Sequence, residues 1–224
     1  PNVVDGLKTS IRKILFGCFK RKLTSEIKVA QLAGYISEHS AYHHGEMSLK
    51  GAIIGMAQEF VGSNNVALLE PRGQFGSRLQ GGNDAASDRY IFTQLNTLTD
   101  SIYSSNDSPI LNYLDDDGTS VEPEYYLPII PMILVNGGKG IGTGFSYEGL
   151  PYHPMNVIKA LKSKIEQPEL AAPDAGLPYY EGFKGTIQDI NHSKFLIKGT
   201  YEVISDDTVR ITELPIGTWT DTYK

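Results

Sequence analysis

The residues best suited to chemistry surround Tyr90, which directly follows Arg89 and a glycine-rich stretch. A tyrosine hydroxyl attacks phosphorus when neighbouring cations lower its pKa and balance the charge that develops on the phosphate. Side chains suited to that task are Arg89, Arg12, Lys28 and His44. The simpler alternative is that Tyr90 is one of 13 tyrosines with no special role.

Two groups of potential metal ligands do not have the spacing that a metal site needs. His43 and His44 are adjacent, whereas helical zinc ligands are about four residues apart on one face. Either histidine has a capping or core role, or its imidazole faces a phosphate. Asp115, Asp116 and Asp117 point in different directions before Gly118, which favours a solvated turn. Cys18 is the single cysteine, so disulfide frameworks and cysteine-rich zinc modules are excluded.

The glycine-rich segment GGKGIGTG (137–144) follows an apolar run that is predicted to be a strand. Dinucleotide-binding loops open a helix whose N-terminus faces the pyrophosphate. Here the prolines at 151 and 154 follow too closely for such a helix, so nucleotide binding is disfavoured. Two interpretations of Ile141 remain. Its side chain enters a DNA base step as an apolar wedge, or it anchors the loop in the protein.

The first half of the chain contains helical patterns and a turn-rich segment that together position these groups. Apolar residues at three- and four-residue steps predict helices over Leu7–Phe19, Ser25–His39 and Glu46–Phe60. A strand around Val66–Leu69 and the segment PRGQFGSRLQGG follow, in the order of a winged-helix domain. Tyr90–Leu98 is predicted to form a further helix.

The second half has a different pattern. The polar, acidic stretch Ser104–Val121 resembles a linker, and strands are predicted over 129–135, 185–189, 195–205 and 208–213, with a helix at Met155–Ile165. The fold class is therefore α+β. We expect a winged-helix domain over residues 1–108 and the start of a second α+β domain over 109–224.

Composition and charge narrow the classes of function. The 224 residues include enough aromatic and aliphatic residues to exclude intrinsic disorder. The most apolar stretch, Tyr125–Val135, has 11 residues, whereas a membrane span needs about 20. Neither a membrane span nor a signal peptide is predicted. The first and last residues, Pro1 and Lys224, indicate a piece of a longer protein.

The net charge of -6 is unevenly distributed along the chain. Residues 1–100 carry +2, residues 101–224 carry -8, and the first 30 residues alone carry +5. A basic patch on an acidic chain is typical of a phosphate-binding surface. It is also consistent with a solvated helix face.

Long stretches of the sequence resemble the type IIA DNA topoisomerases, specifically the eukaryotic-type enzymes and their viral relatives. They occur in order along nearly the whole chain: VDGLKTSIRKILFGCFKR (4–21), KVAQLAGYISEHSAYHHGEMSL (28–49), AQEFVGSNN (57–65), GQFGSRLQGGNDAASDRYIFT (73–93), EPEYYLPIIPMILVNGGKGIGTGF (122–145) and ITELPIGTWT (211–220).

The resemblance implies the central part of the breakage-reunion core of an ATP-dependent enzyme. Residues 1–108 are then the winged-helix domain and 109–224 the truncated start of the tower domain. Tyr90 is implied to attack a DNA phosphate, form a 5′-phosphotyrosyl bond and release a 3′-hydroxyl, so that a second duplex passes through the break. A non-catalytic winged-helix DNA-binding module is the alternative function.

The resemblance also implies roles for individual residues. The implied catalytic group comprises Tyr90, Arg89, His44, His43, Arg12 and Lys28. The implied DNA contacts are Ile141 as the intercalating wedge, and Lys8, Lys139, Gln74 and Arg78. In this sequence Asp88 replaces a small residue or proline, and Lys139 replaces a glutamate, relative to the usual family pattern. A carboxylate at Asp88 is expected to weaken cleavage or to tune the local charge.

The implied cofactors and partners belong to the full-length enzyme. Mg²⁺ and ATP are implied, both bound by domains absent from this chain, so the fragment alone is expected to be inactive and to hold no metal. The implied partners are double-stranded DNA and a second copy of the enzyme, with no membrane. The expected location is the nucleus for a cellular eukaryotic source, and the host cell or virion for a viral one.

Overall fold

A computed structural model describes residues 1–169, 171, 174–191 and 194–224, which form a mixture of helices and short antiparallel sheets. The helices are α1 (Thr9–Arg21), α2 (Val29–His39), α3 (Glu46–Ala57), α4 (Thr97–Ile102), α5 (Met132–Val135), α6 (Pro154–Glu166) and α7 (Thr220–Tyr223), with a 3-10 helix at Ser105–Ile110. The strands are β1 (Ile27–Lys28), β2 (Leu69–Arg72), β3 (Phe92–Leu95), β4 (Tyr113–Asp116), β5 (Thr119–Pro123), β6 (Gly138–Gly142), β7 (Phe145–Gly149), β8 (Thr186–Asp189), β9 (Phe195–Lys198), β10 (Thr200–Ser205) and β11 (Thr208–Glu213).

The three helices predicted at the start of the chain are confirmed, with shifted ends. The helix expected over Ser25–His39 begins at Val29, because Ile27–Lys28 pairs with β3 instead. The helix expected over Glu46–Phe60 ends at Ala57. The buried positions of α1 and α2, such as Leu15 and Leu32, follow the expected apolar stripe.

The helix predicted for Tyr90–Leu98 is wrong, since β3 occupies the centre of that segment. Ile91, Thr93 and Leu95 are buried and alternate with less buried neighbours, which is the period of a strand. Strand β3 is the central strand of a three-stranded antiparallel sheet with order β1-β3-β2. A helix begins only afterwards, at α4, where the side chain of Asn96 accepts a hydrogen bond from the Leu98 amide.

The predicted linker at Ser104–Val121 is also wrong, because strands β4 and β5 form a hairpin there. Asp117 and Gly118 make its two-residue turn, with φ values of 49° and 82°. Two successive positive φ values match the twist of a hairpin, and glycine adopts such a conformation without strain. The hairpin packs on α1, where the Lys13 ammonium lies 2.7 Å from the buried Glu122 carboxylate.

The strand predicted at 129–135 is a further error, since its last residues form α5 after Pro131. Short apolar runs do not by themselves distinguish a strand from a buried helical turn. The later predictions are confirmed: α6 spans the expected helix, and β8, β9, β10 and β11 occupy the expected strand segments.

One apolar core connects the two halves of the chain. Leu15, Leu32 and Ile53 belong to the same buried cluster as Val135 and Val157. Side-chain amides also join the halves. The Asn65 amide donates to the carbonyls of Val135 (2.9 Å) and Tyr179 (3.0 Å), and Asn136 and Val66 exchange two hydrogen bonds.

Candidate functional site

Tyr90 lies at the end of a turn, Asp88–Tyr90, that leads directly into the sheet. Its amide donates to the Ser87 carbonyl at 2.9 Å. The segment also accepts two hydrogen bonds, from the Val29 amide to Ile91 O and from the Ala30 amide to Asp88 O, both at 3.1 Å. The backbone around Tyr90 is thus held on both sides, while the side chain is 73% exposed.

These contacts place the turn at the N-terminus of α2. The first amides of a helix have no partner within the helix, and here the turn accepts hydrogen bonds from two of them. The N-terminus of a helix also carries a partial positive charge, which favours an anion nearby. A phosphate or a phenolate beside Tyr90 would therefore meet a favourable backbone field.

Two of the predicted cations accompany Tyr90. Arg89 precedes it in the same turn and is exposed. Lys28 pairs in register with Phe92, two residues after Tyr90, and its ammonium lies 5.8 Å from the centre of the Phe92 ring. The Lys28 side chain is likewise exposed, so both cations are accessible to a charged ligand.

The predicted histidines lie just before α3. His44 is exposed and its ring makes an edge contact with Tyr42, with centroids 5.5 Å apart. The Nε2 atom of His43 lies 3.0 Å from Oδ2 of Asp116 in the β4–β5 hairpin. The His43 contact connects the YHHGE segment to a distant hairpin, while the imidazole of His44 faces solvent.

Helix α3 is itself connected to the Tyr90 turn. The Lys50 ammonium lies 2.9 Å from Oδ2 of Asp88 and 2.6 Å from Oε1 of Glu46. Hydrogen bonding to Lys50 lowers the pKa of Asp88, and the contacts with Glu46 and then Asp88 raise the pKa of Lys50. The sequence pattern does not point to Lys50. The signal that could have found it is Asp88, a carboxylate that needs a cation beside a phosphate site.

Arg12 and Arg78 already have carboxylate partners within the chain. Arg12 is 6% exposed, and its guanidinium donates to both Asp5 oxygens, at 2.7 and 3.0 Å, and to the Leu7 carbonyl. Arg78 pairs with Glu213 at 2.5 Å and donates to Leu214 O. Neither guanidinium is free for a phosphate while these contacts persist.

Ile141 belongs to the β6–β7 hairpin, one position from its last pair, Gly142 with Phe145. The side chain is 83% exposed, so it does not anchor the loop in the core. Strand β7 follows the glycines where a dinucleotide-binding fold would start a helix. Lys139, in the same strand as Ile141, is 66% exposed and 3.5 Å from Glu148.

The remaining predicted contacts, Lys8 and Gln74, are exposed. Across the described ranges, no group of three or more His, Cys, Asp and Glu side chains is arranged to hold a metal ion. Asp116 contacts His43, and Asp115 accepts from the Gly118 amide. These residues do not fit a magnesium site, and the hairpin at 138–149 does not fit a nucleotide-phosphate loop. No helix in the described part of the chain is long and apolar enough to cross a membrane.

Comparison with known proteins gives a consistent result over the whole chain. The family of DNA gyrase/topoisomerase IV, A-type chain, matches residues 1–224. A probable DNA topoisomerase 2 of Dictyostelium discoideum is 52% identical over 229 residues, covering 100% of this chain and 15% of that protein. DNA topoisomerase 2 of Saccharomyces cerevisiae is 52% identical over 224 residues, covering 100% of this chain and 16% of that protein.

Among solved structures, the chain is similar to the DNA-binding, cleavage and re-ligation domain of Plasmodium falciparum topoisomerase II. The TM-score is 0.95 and the identity 52%, over 100% of this chain and 30% of that one. The chain therefore spans about 15% of the length of the full relatives and under a third of the solved domain.

Proposed function

The chain belongs to the DNA gyrase/topoisomerase IV family, and on that basis we propose that it is the central part of the breakage-reunion core of an ATP-dependent type II DNA topoisomerase. The enzyme makes a transient double-strand break and passes a second duplex through it. The observation that carries this proposal is Tyr90, 73% exposed on a backbone turn that three hydrogen bonds hold beside the N-terminus of α2.

Residues 1–108 are proposed as the winged-helix domain and 109–224 as the start of the tower domain. Helices α1 to α3 followed by the β2–β3 ribbon support the first assignment. The apolar core continues past residue 108, so the two domains would share a packed interface.

In the proposed reaction the phenolic oxygen of Tyr90 attacks the phosphorus of a DNA phosphodiester. The bond from phosphorus to the 3′-oxygen breaks, the phenolic proton leaves, and the 3′-oxygen takes up a proton as a hydroxyl. The 5′-phosphotyrosyl bond retains the energy of the broken phosphodiester, so the 3′-hydroxyl reseals the strand without another high-energy donor.

The other exposed side chains of the site are proposed to serve the same phosphate and its duplex. Arg89 and Lys28 balance the charge of the transition state, and His44, with His43 beside it, faces the phosphate. Beyond the site, the proposed DNA contacts are Lys8, Gln74 and Lys139, with Ile141 as the wedge. Bending a duplex costs several kcal/mol, and phosphate contacts offset that cost.

The proposed roles of Arg12 and Arg78 carry a condition. Each guanidinium would have to leave a carboxylate partner before it contacted DNA. For Arg12 that would expose or strand the fully buried carboxylate of Asp5, which is costly. Stabilisation of the first helix is therefore the competing role, and the two are separable by experiment.

Mg²⁺ and ATP are proposed for the full-length enzyme, bound by its other domains. The proposed partners are double-stranded DNA and a second copy of the enzyme. The Dictyostelium and Saccharomyces relatives are both eukaryotic, which supports a nuclear location.

The test is Tyr90→Phe in the full-length enzyme, with labelled duplex and denaturing electrophoresis to detect covalent protein–DNA adduct. We expect the adduct and strand passage to disappear while DNA affinity stays within about threefold, because no phosphate-binding charge is lost. Tyr201→Phe is a matched control, since Tyr201 is 66% exposed on a separate hairpin.

Adduct formed by the Tyr90→Phe variant would overturn the assignment of the nucleophile. If the wild-type enzyme bound DNA in a salt-dependent way and formed no adduct, the non-catalytic winged-helix module would be the better description.

A further inference from the structure

Asp88 poses an electrostatic problem for the proposed site. Its carboxylate is two residues from Tyr90 in the same turn, where a DNA phosphate is proposed to bind. Two anions close together repel each other, and the repulsion grows as water is excluded. An unpaired Asp88 would therefore oppose both the approach of DNA and the charge of the transition state.

Lys50 compensates this charge from a different element. Its ammonium lies 2.9 Å from Asp88, and the two side chains are only 17% and 18% exposed. The second oxygen of Asp88 lies 3.3 Å from the Ser87 hydroxyl. The carboxylate is thus directed toward α3 and away from solvent.

The position of Lys50 is itself constrained. Glu46 is one helical turn earlier on α3 and contacts the same ammonium at 2.6 Å. The Tyr90 turn is therefore attached to two helices. Backbone hydrogen bonds hold it to α2, and the Lys50–Asp88 ion pair holds it to α3.

We propose that Lys50 is a positioning residue for Tyr90, which fixes the nucleophile turn against α3 and neutralises Asp88 beside the scissile phosphate. This inference rests on the proposed function of Tyr90. Lys50 touches neither DNA nor the reacting atoms, and it acts through Asp88.

The experiment measures single-turnover cleavage at saturating DNA, and DNA affinity separately, in the full-length enzyme. Lys50→Met is expected to slow cleavage by roughly 10- to 50-fold, while the Kd for DNA changes less than about threefold, because the reacting geometry is lost rather than a DNA contact. Lys50→Arg retains the charge and is expected to stay within about threefold of wild type.

A second-site change separates positioning from simple loss of stability. If the harm comes from an uncompensated carboxylate, Lys50→Met combined with Asp88→Ala should cleave at least about fivefold faster than Lys50→Met alone. Glu46→Gln is the matched control: it removes the other partner of Lys50 but leaves the Asp88 pair, and should cleave within about twofold of wild type. Lys50→Gln serves the same comparison if Lys50→Met does not fold.

The inference is overturned if Lys50→Met cleaves at the wild-type rate, or if the double variant is as slow as Lys50→Met. A wild-type enzyme that forms no adduct at Tyr90 would instead overturn the proposed function. The two failures are therefore distinguishable in one set of measurements.

Discussion

Replacing Arg12 by methionine distinguishes a buried structural cation from one that acts on DNA. The Asp5 carboxylate accepts two hydrogen bonds from Arg12 and one each from the amides of Leu7 (2.9 Å) and Tyr126 (3.0 Å). Methionine preserves much of the aliphatic stem but removes every donor of the guanidinium. A carboxylate that is 0% exposed would then keep only its two amide donors.

The expected loss of stability follows from this burial. Removing one partner of a buried ion pair costs about 3–5 kcal/mol, because the remaining charge is left uncompensated. In a domain of this size each kcal/mol lowers the unfolding temperature by about 2–4 °C, so the shift is roughly 6–20 °C. The exposed pair Arg210–Glu202, with side chains 65% and 54% exposed, provides the control. Arg210→Met should cost less than about 1 kcal/mol.

The assay is thermal unfolding of the 224-residue chain, followed by fluorescence of Trp219, its single tryptophan. Trp219 packs edge-on against Phe60, with centroids 5.9 Å apart, so its emission depends on the folded state. Adding Asp5→Asn to Arg12→Met should recover part of the lost stability, because no ionised carboxylate is then buried. Cleavage by the full-length Arg12→Met enzyme is measured well below its unfolding temperature.

An Arg12→Met chain that unfolds within about 2 °C of wild type would refute the structural role of the buried ion pair. Should that stable variant also cleave roughly 10- to 1000-fold more slowly, Arg12 would act on the scissile phosphate, as the resemblance implies. A destabilised variant with cleavage near the wild-type rate would assign Arg12 to packing alone.

Other predictions test separate parts of the molecule. Ile141→Ala should reduce the DNA bend, measured by energy transfer between labelled duplex ends, with the salt dependence of binding unchanged, and an unchanged bend angle would exclude the wedge. His44→Ala should slow single-turnover cleavage roughly 10- to 1000-fold, and a rate within about twofold of wild type would exclude a role at the phosphate. Burial raises the pKa of Cys18 to about 12, so its thiol should react with a disulfide reagent at pH 8 only after unfolding; rapid labelling of the native chain would contradict this. Gly76→Ala should cost at least about 1–3 kcal/mol in thermal unfolding, because Gly76 has a φ of +97° and a Cβ there would lie 2.6 Å from the Gly82 backbone; a stability equal to that of Gly34→Ala, where no atom lies within 4 Å, would count against it.

Local pattern predicted the helices well, because an amphipathic stripe needs only one buried face to be recognised. It failed where pairing partners were distant. The segment Phe92–Leu95 is a strand because β1 and β2 supply its hydrogen bonds on both sides. The apolar residues before Val135 form a helical turn because they pack beside α6 and the helix core.

The candidate site shows the same division. The motif around Tyr90 and its neighbours Arg89 and Lys28 could be recognised from the sequence, because these residues are close in the chain or in a recognisable pattern. Whether a cation is available to a phosphate could not be predicted. The sequence ranks Arg12, Arg78 and Lys28 alike.

Only the tertiary structure separates these cations, since their partners come from other parts of the chain. The fold buries Arg12 against Asp5, brings Glu213 to Arg78 and leaves Lys28 exposed. It also brings Lys50 to Asp88. The sequence by itself determined which charges exist and which helices present them. Long-range packing decided which are neutralised, because ion pairing depends on separations of a few ångströms that local periodicity does not specify.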